Sequence, residues 1–178
     1  NGIVKVERLH DWQLNIDQAL GIQRRLQPQV NRSGQVSSPR FIAGVDISAG
    51  KVRGMAQATA IVLSYPELRL VEISLAQGEL DFPYIPGLLS FRELPLILVA
   101  CQKLSVTADL ILVDGHGVAH PRRMGLACHL GLFLSTPTIG CAKSRLCGSH
   151  RVPGDKPGSY SEVVDKSETV GVALGTKL

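Results

Sequence analysis

Asp46 closes the apolar run Phe41–Val45, and Asp114 closes another, Leu110–Val113. A carboxylate at the end of a buried strand is costly to desolvate unless it is paired, hydrogen-bonded or bound to a cation. Either aspartate alone could serve as a turn or capping residue. Two of them on matching strand ends predict more. If the strands are parallel neighbours, both carboxylates stand side by side at one edge of the sheet. Two anions so placed repel, and their hard oxygen donors favour Mg²⁺ or Mn²⁺ between them. Glu93, in "LSFRELP", is a third candidate. Ser90 and Glu93 have capping-box spacing, which would use the glutamate locally. Pro95 disturbs that reading, because a proline inside a helix lacks the backbone donor; a later or kinked helix start leaves Glu93 free at its mouth.

The residues after Asp114 are rich in titratable groups: "DGHGVAHPRRMG" holds Gly115, His116, Gly117, His120, Arg122 and Arg123, and Lys143 follows the short run "TPTIGCAK". Histidine can move a proton or ligate a metal, and lysine can hold a phosphate as a point charge. Gly115 and Gly117 let the backbone approach a substrate. From Asp114 to Arg151 there are five Arg or Lys residues, four His and one acid, Asp114 itself. Such a face suits a polyanion, although an ordinary solvated loop surface has similar composition. In "DFPYIPG", Tyr84 and Ile85 lie between Pro83 and Pro86, just before Gly87. A stiff apolar wedge of that kind can push between bases; the alternative is a loop packed on its own domain.

These groups need a scaffold. The 178 residues, 44% hydrophobic and 19% charged, suit a single domain over 1–178 with a sizeable core. The net charge of +4 is too mild to argue for nucleic acid by itself. No run approaches the ~18 apolar residues of a membrane span, and the mixed, charged start does not read as a signal peptide. The four cysteines show no CxxC and no common zinc spacing, which predicts free thiols and a cytoplasmic location. Apolar spacing predicts a helix over 8–27, and the polar stretch 28–40 a loop. Runs at 41–47, 56–63 and 68–75 predict an antiparallel meander. Further helices are expected at 88–104 and 124–134, and strands at 110–113 and 137–140. The first of these two strands, four consecutive aliphatics, is expected to be covered on both faces. A terminal hairpin is expected over 162–173. The order predicts an α/β domain with a mixed sheet.

With these residues in place, the chain resembles the endonuclease V family of deoxyinosine-directed repair nucleases. The likeness rests on "GVD" at 44–46, "PYIPGLLSFRE" at 83–93, "VDGHGVAHPRRMG" at 113–125 and "TIGCAKSRLCG" at 138–148. It implies a ribonuclease H-like mixed sheet flanked by helices, and Mg²⁺-dependent hydrolysis in which Mn²⁺ substitutes. Members cut the second phosphodiester bond 3′ to the deaminated base, leaving 3′-hydroxyl and 5′-phosphate ends. By the same likeness Asp46, Glu93 and Asp114 are metal ligands, and His120 and Lys143 join them as catalytic residues. Pro83, Tyr84, Ile85, Pro86 and Gly87 form the strand-separating wedge. Gly115, His116, Gly117, Arg122 and Arg123 are expected to contact substrate, with Arg122, Arg123 and Arg145 on the phosphate backbone. The implied partner of a monomeric protein is DNA containing deoxyinosine or another deaminated base, with inosine-containing RNA as the alternative. The DGHG form is more like bacterial members than vertebrate ones.

The family continues past the hairpin into a strand bearing Gly-His-Arg and then a helix, whereas this sequence closes on "SETVGVALGTKL". An alternative from another class is therefore a catalytically impaired binder of inosine-containing or branched nucleic acid. A third reading, a ribonuclease H-like nuclease of the excision-repair type, is disfavoured by the "PYIPG" segment.

Overall fold

In the computed structural model, residues 4–49 and 54–176 are described. Five strands form one sheet: β1 (Phe41–Ala49), β2 (Met55–Ser64), β3 (Leu70–Glu79), β4 (Leu110–Val113) and β5 (Thr138–Gly140). Their spatial order is β3-β2-β1-β4-β5. The first three form the expected antiparallel meander, and β4 and β5 add to β1 in parallel. A separate two-stranded hairpin joins β6 (Tyr160–Asp165) to β7 (Glu168–Leu174).

Strand alternation sorts this sheet into two unlike faces. One presents Ala43, Val45, Ala56, Ala58, Ala60, Val62, Ala76, Ile111 and Val113, all buried in one core cluster. The run of alanines lets α2 (Leu89–Gln102) lie close on the sheet, and Leu94, Leu96, Ile97, Leu98 and Ala100 fill that interface. Helix α3 (Leu126–Leu134) packs beside it over β4 and β5. The other face carries Ile73, Leu75, Leu112 and Ile139, all exposed. Leu112 is where the expectation of a doubly covered β4 fails, because both packed helices lie on the face of Ile111 and Val113.

The first helix is shorter than its apolar spacing predicts. Asn15 caps α1 (Ile16–Leu26) with a reciprocal bond to Gln18, so the helix cannot begin earlier. Residues 4–14 run as a non-helical strap that Glu7 N–H ties to the Phe133 carbonyl at 2.7 Å, with Val4, Val6, Leu9 and Trp12 against the core. Helix α2 accommodates Pro95, and its N-cap is Leu88 without a side-chain bond. Ser90 is therefore no cap, and its hydroxyl meets His129 Nδ1 at 3.0 Å. No described helix is long and apolar enough to cross a membrane.

His129 is fully buried and links the strap to α2. Its Nε2 lies 2.9 Å from His10 Nε2, and His10 Nδ1 lies 2.7 Å from the Asp11 carbonyl. A carbonyl only accepts, so His10 carries its proton on Nδ1, and His129 Nε2–H must donate to His10. Ser90 then donates to His129 Nδ1. This relay works only with both rings neutral, and burial holds His129 down to about 3 and lowers His10 as well. A depressed histidine pKa means the unfolded chain takes up protons first, so stability is full above about pH 6.5 and lost as pH falls. Urea unfolding is expected to show lower stability at pH 5 than at pH 7, by up to about 1.4 kcal/mol per pH unit for each such histidine. His129→Leu should make that slope shallower; an unchanged slope would place the acid sensitivity elsewhere.

Candidate active site

The parallel register pairs Val45 with Val113, and Asp114 N–H donates to the Val45 carbonyl at 3.1 Å. Asp114 is the next residue after β4, but Asp46 does not end β1 as expected: the strand runs on to Ala49, paired to β2 alone, so the two aspartates adjoin where the β1–β4 pairing stops. Alternation keeps both off the helix-packed face, since Val45 and Val113 point into it. Glu93 reaches the same edge from the first turns of α2. Its carboxyl is pushed up to about 7, first by burial and then by the negative charges of Asp46 and Asp114. The Lys143 ammonium is bonded to Asp114 Oδ2, which raises the lysine pKa. Three carboxyl groups from three elements thus lie within one another's field, and a cationic side chain is already drawn to Asp114.

Those oxygens suit a hard divalent cation in type and charge. Among the described residues, however, no three His, Cys, Asp or Glu side chains are gathered as a preformed metal cluster. The fit is therefore of donor chemistry and placement, with the carboxyl groups still to be drawn together.

The loop after Asp114 is tied down beside them. His116 Nε2 donates to the Ser144 carbonyl at 2.8 Å, joining it to the segment that carries Lys143. Gly140 permits this closeness, because a Cβ there would lie 2.4 Å from Gly117 N and 2.6 Å from the Gly115 carbonyl.

The wedge is a tight turn mounted in front of α2. Leu88 N–H donates to the Ile85 carbonyl at 2.9 Å, with Pro86 second in the turn and Gly87 third at φ +81°. That is the residue pattern of a type II turn, whose third position disfavours any residue with a Cβ. Tyr84 is 72% exposed, so it does not pack on its own domain. Arg92 holds the base of the loop through the Leu80 and Phe82 carbonyls, a role the sequence reading missed.

Two expected site residues receive different surroundings. His120 is buried, with Nε2 donating to the Gly87 carbonyl at 3.0 Å and Nδ1 accepting from Arg122 N–H at 3.1 Å. Burial lowers its pKa to about 4, so it is a neutral ring with neither nitrogen free, placed to support the wedge. Arg123 donates to Asp165 Oδ2 and Glu168 Oε2, each at 2.7 Å. Its side chain is 13% exposed. Its guanidinium thereby fastens the β6–β7 hairpin and has little left for a phosphate. Arg32, paired with Glu168, completes that network. Arg122 is half committed, through Nε to Gln23 and Nη2 to the Gly87 carbonyl, whereas Arg145 is exposed.

Strand order, parallel carboxylate-bearing strands and one-sided helices define a ribonuclease H-like α/β fold. The family model for Endonuclease V matches residues 24–178. An Endonuclease V of Dehalococcoides mccartyi is 49% identical over 174 residues, covering 98% of this chain and 78% of that one. Among solved structures, Endonuclease V from Bacillus subtilis superposes with a TM-score of 0.90 at 33% identity, over 97% of this chain and 76% of the other. Endonuclease V of Ciona intestinalis, in complex with a 24mer DNA containing an inosine followed by a ribo-adenosine, gives a TM-score of 0.73 at 27% identity, over 89% and 76% of the two chains. The chain belongs to the Endonuclease V family, and so to the nucleases, which hydrolyse phosphodiester bonds.

The Arg123 network makes a direct prediction. Arg123→Met leaves Asp165 and Glu168 without their shared partner and should cost about 1–3 kcal/mol. Amide exchange at Val163 and Val170 should quicken while β1 and β2 stay protected. Unchanged exchange in the hairpin would show that Arg123 does not hold it.

Proposed function

We propose that this protein is a Mg²⁺-dependent DNA repair endonuclease that cuts the second phosphodiester bond 3′ to deoxyinosine. The observation that carries the proposal is the placement of Asp46, Asp114 and Glu93 near one another where the β1–β4 pairing stops, with an exposed Tyr84 wedge on the segment that leads to Glu93. A hard cation held by these three carboxylates, Mg²⁺ or Mn²⁺ in its place, would supply a water acidic enough to attack a phosphodiester. The 24mer DNA containing an inosine that the Ciona relative binds supports DNA with a deaminated base as substrate; inosine-containing RNA is the alternative. Four free cysteines, two of them buried, suit a reducing cytoplasm, where the protein would work as a monomer.

The chain's own groups divide the work. Lys143 moves between Asp114 and the phosphate as the substrate arrives, neutralising charge at either place. Pro83, Tyr84, Ile85, Pro86 and Gly87 open the duplex beside the modified base, which costs least where pairing is already weak. Gly115, His116 and Gly117 bring backbone close to the nucleotide. The free edge of Arg122 and the exposed Arg145 meet the phosphate backbone. His120 acts through the wedge rather than on the reacting atoms.

A labelled duplex with one deoxyinosine tests this reading. Nicking should require Mg²⁺ and leave 3′-hydroxyl and 5′-phosphate ends. Asp46→Ala and Asp114→Ala should each lower it by at least ~10³-fold while sparing fold and most DNA binding. Tyr84→Ala should weaken the preference for inosine without loss of metal dependence. Wild-type rates in either aspartate variant would refute the site. Specific binding without nicking by the parent chain would favour the impaired-binder reading.

A further inference from the structure

Gln23 is 1% exposed although it is polar, and it lies on the inward stripe of α1 with Ala19 and Leu26. Its carboxamide is fully occupied. Nε2 donates to the Gly87 carbonyl at 2.9 Å and to the Met124 carbonyl at 3.1 Å, and Oε1 accepts from Arg122 Nε at 2.5 Å. The Gly87 carbonyl also receives His120 Nε2 at 3.0 Å and Arg122 Nη2 at 2.8 Å. Three donors from two distant segments therefore converge on the back of the turn that carries Tyr84.

We propose that Gln23 is a positioning residue that sets substrate discrimination, because its carboxamide locks the Gly87 carbonyl and Arg122 together and so holds the Tyr84 tip rigid. The proposal rests on the nuclease reading above. Only glutamine satisfies all three contacts. A glutamate in its place offers no donor to either carbonyl, and asparagine is one methylene too short to span them. A wedge ordered in the free protein need not be ordered when DNA binds, and that preorganisation favours the opened duplex. A single strand needs no opening, so its cleavage should hardly depend on the lock.

The test compares wild type with Gln23→Met on two oligonucleotides of the same sequence, each with one deoxyinosine, one duplex and one single-stranded. Q23M should lower kcat/KM on the duplex at least tenfold, mainly through KM, and on the single strand less than twofold. In the free protein, exchange of the Leu88 amide, the turn's own hydrogen bond to Ile85, should quicken at least tenfold while β1 and β2 keep their protection. An equal loss on both substrates, no loss on either, or unchanged exchange of the Leu88 amide would overturn the proposal. If Q23M does not fold, Gln23→Glu takes the same measurements, since it keeps the acceptor for Arg122 Nε and removes both donors. A wild-type protein that nicks neither substrate would sink the nuclease reading, and the exchange measurement would still decide whether Gln23 holds the wedge.

Discussion

The parallel pairing of β1 with β4 sets Val113 beside Val45 and carries the ladder one bond further, from Asp114 N–H to the Val45 carbonyl. Side chains alternate with period two, so a slip of one residue would turn Asp114 into the helix-packed core. The hydrophobic demand for Val45 and Val113 inside thus fixes both aspartates at the opposite edge. Two like charges on neighbouring strands repel. Glu93 is pushed up to about 7, by burial first and by their charges second, and Lys143 is drawn to Asp114. Core packing therefore maintains an anionic cluster that charge alone would disperse.

The wedge depends on a different kind of restraint. A turn with Pro86 and a positive-φ Gly87 is locally stiff, yet stiffness within the turn does not orient it on the protein. Orientation comes from its one inward carbonyl, held by an amide, an imidazole and a guanidinium, and from Arg92 below. His120 suits that task because burial keeps it neutral: the uncharged ring donates at one nitrogen and accepts at the other.

How far the sequence reveals this depends on where a residue's partners lie. Asp46 and Asp114 are legible because each directly follows the apolar residues that pair β1 with β4, even though β1 itself runs on to Ala49. Glu93 is ambiguous because Ser90 stands three residues before it, and the ambiguity resolves only when His129, 39 residues on, takes the Ser90 hydroxyl. Arg123 reads as a phosphate contact until Asp165 and Glu168 are folded against it, and no local spacing announces a pairing across 42 and 45 residues. Gln23 left one sign, a polar residue on an apolar stripe. Residues 8–14 of the strap read as helix because their apolar residues match helical spacing, while Asn15 and Gln18 start the helix later. Periodicity reports which residues are buried; the cap decides where the helix begins.

Segment 83–93 carries both Tyr84 and Glu93, and segment 114–122 carries Asp114, His120 and Arg122. The bonds to the Gly87 carbonyl join the two, so the wedge tip and the carboxylates belong to one braced unit. That matters for a nuclease proposed to cut at a set distance from the base it recognises. If the tip swung freely, engaging the base would not determine which phosphate reached Asp46 and Asp114. With the turn braced, the spacing between base and phosphate becomes a property of the fold. A displacement near 1 Å is already enough to spoil such alignment, which is why a fully occupied carboxamide behind the wedge bears on where the strand is cut as well as on what is bound.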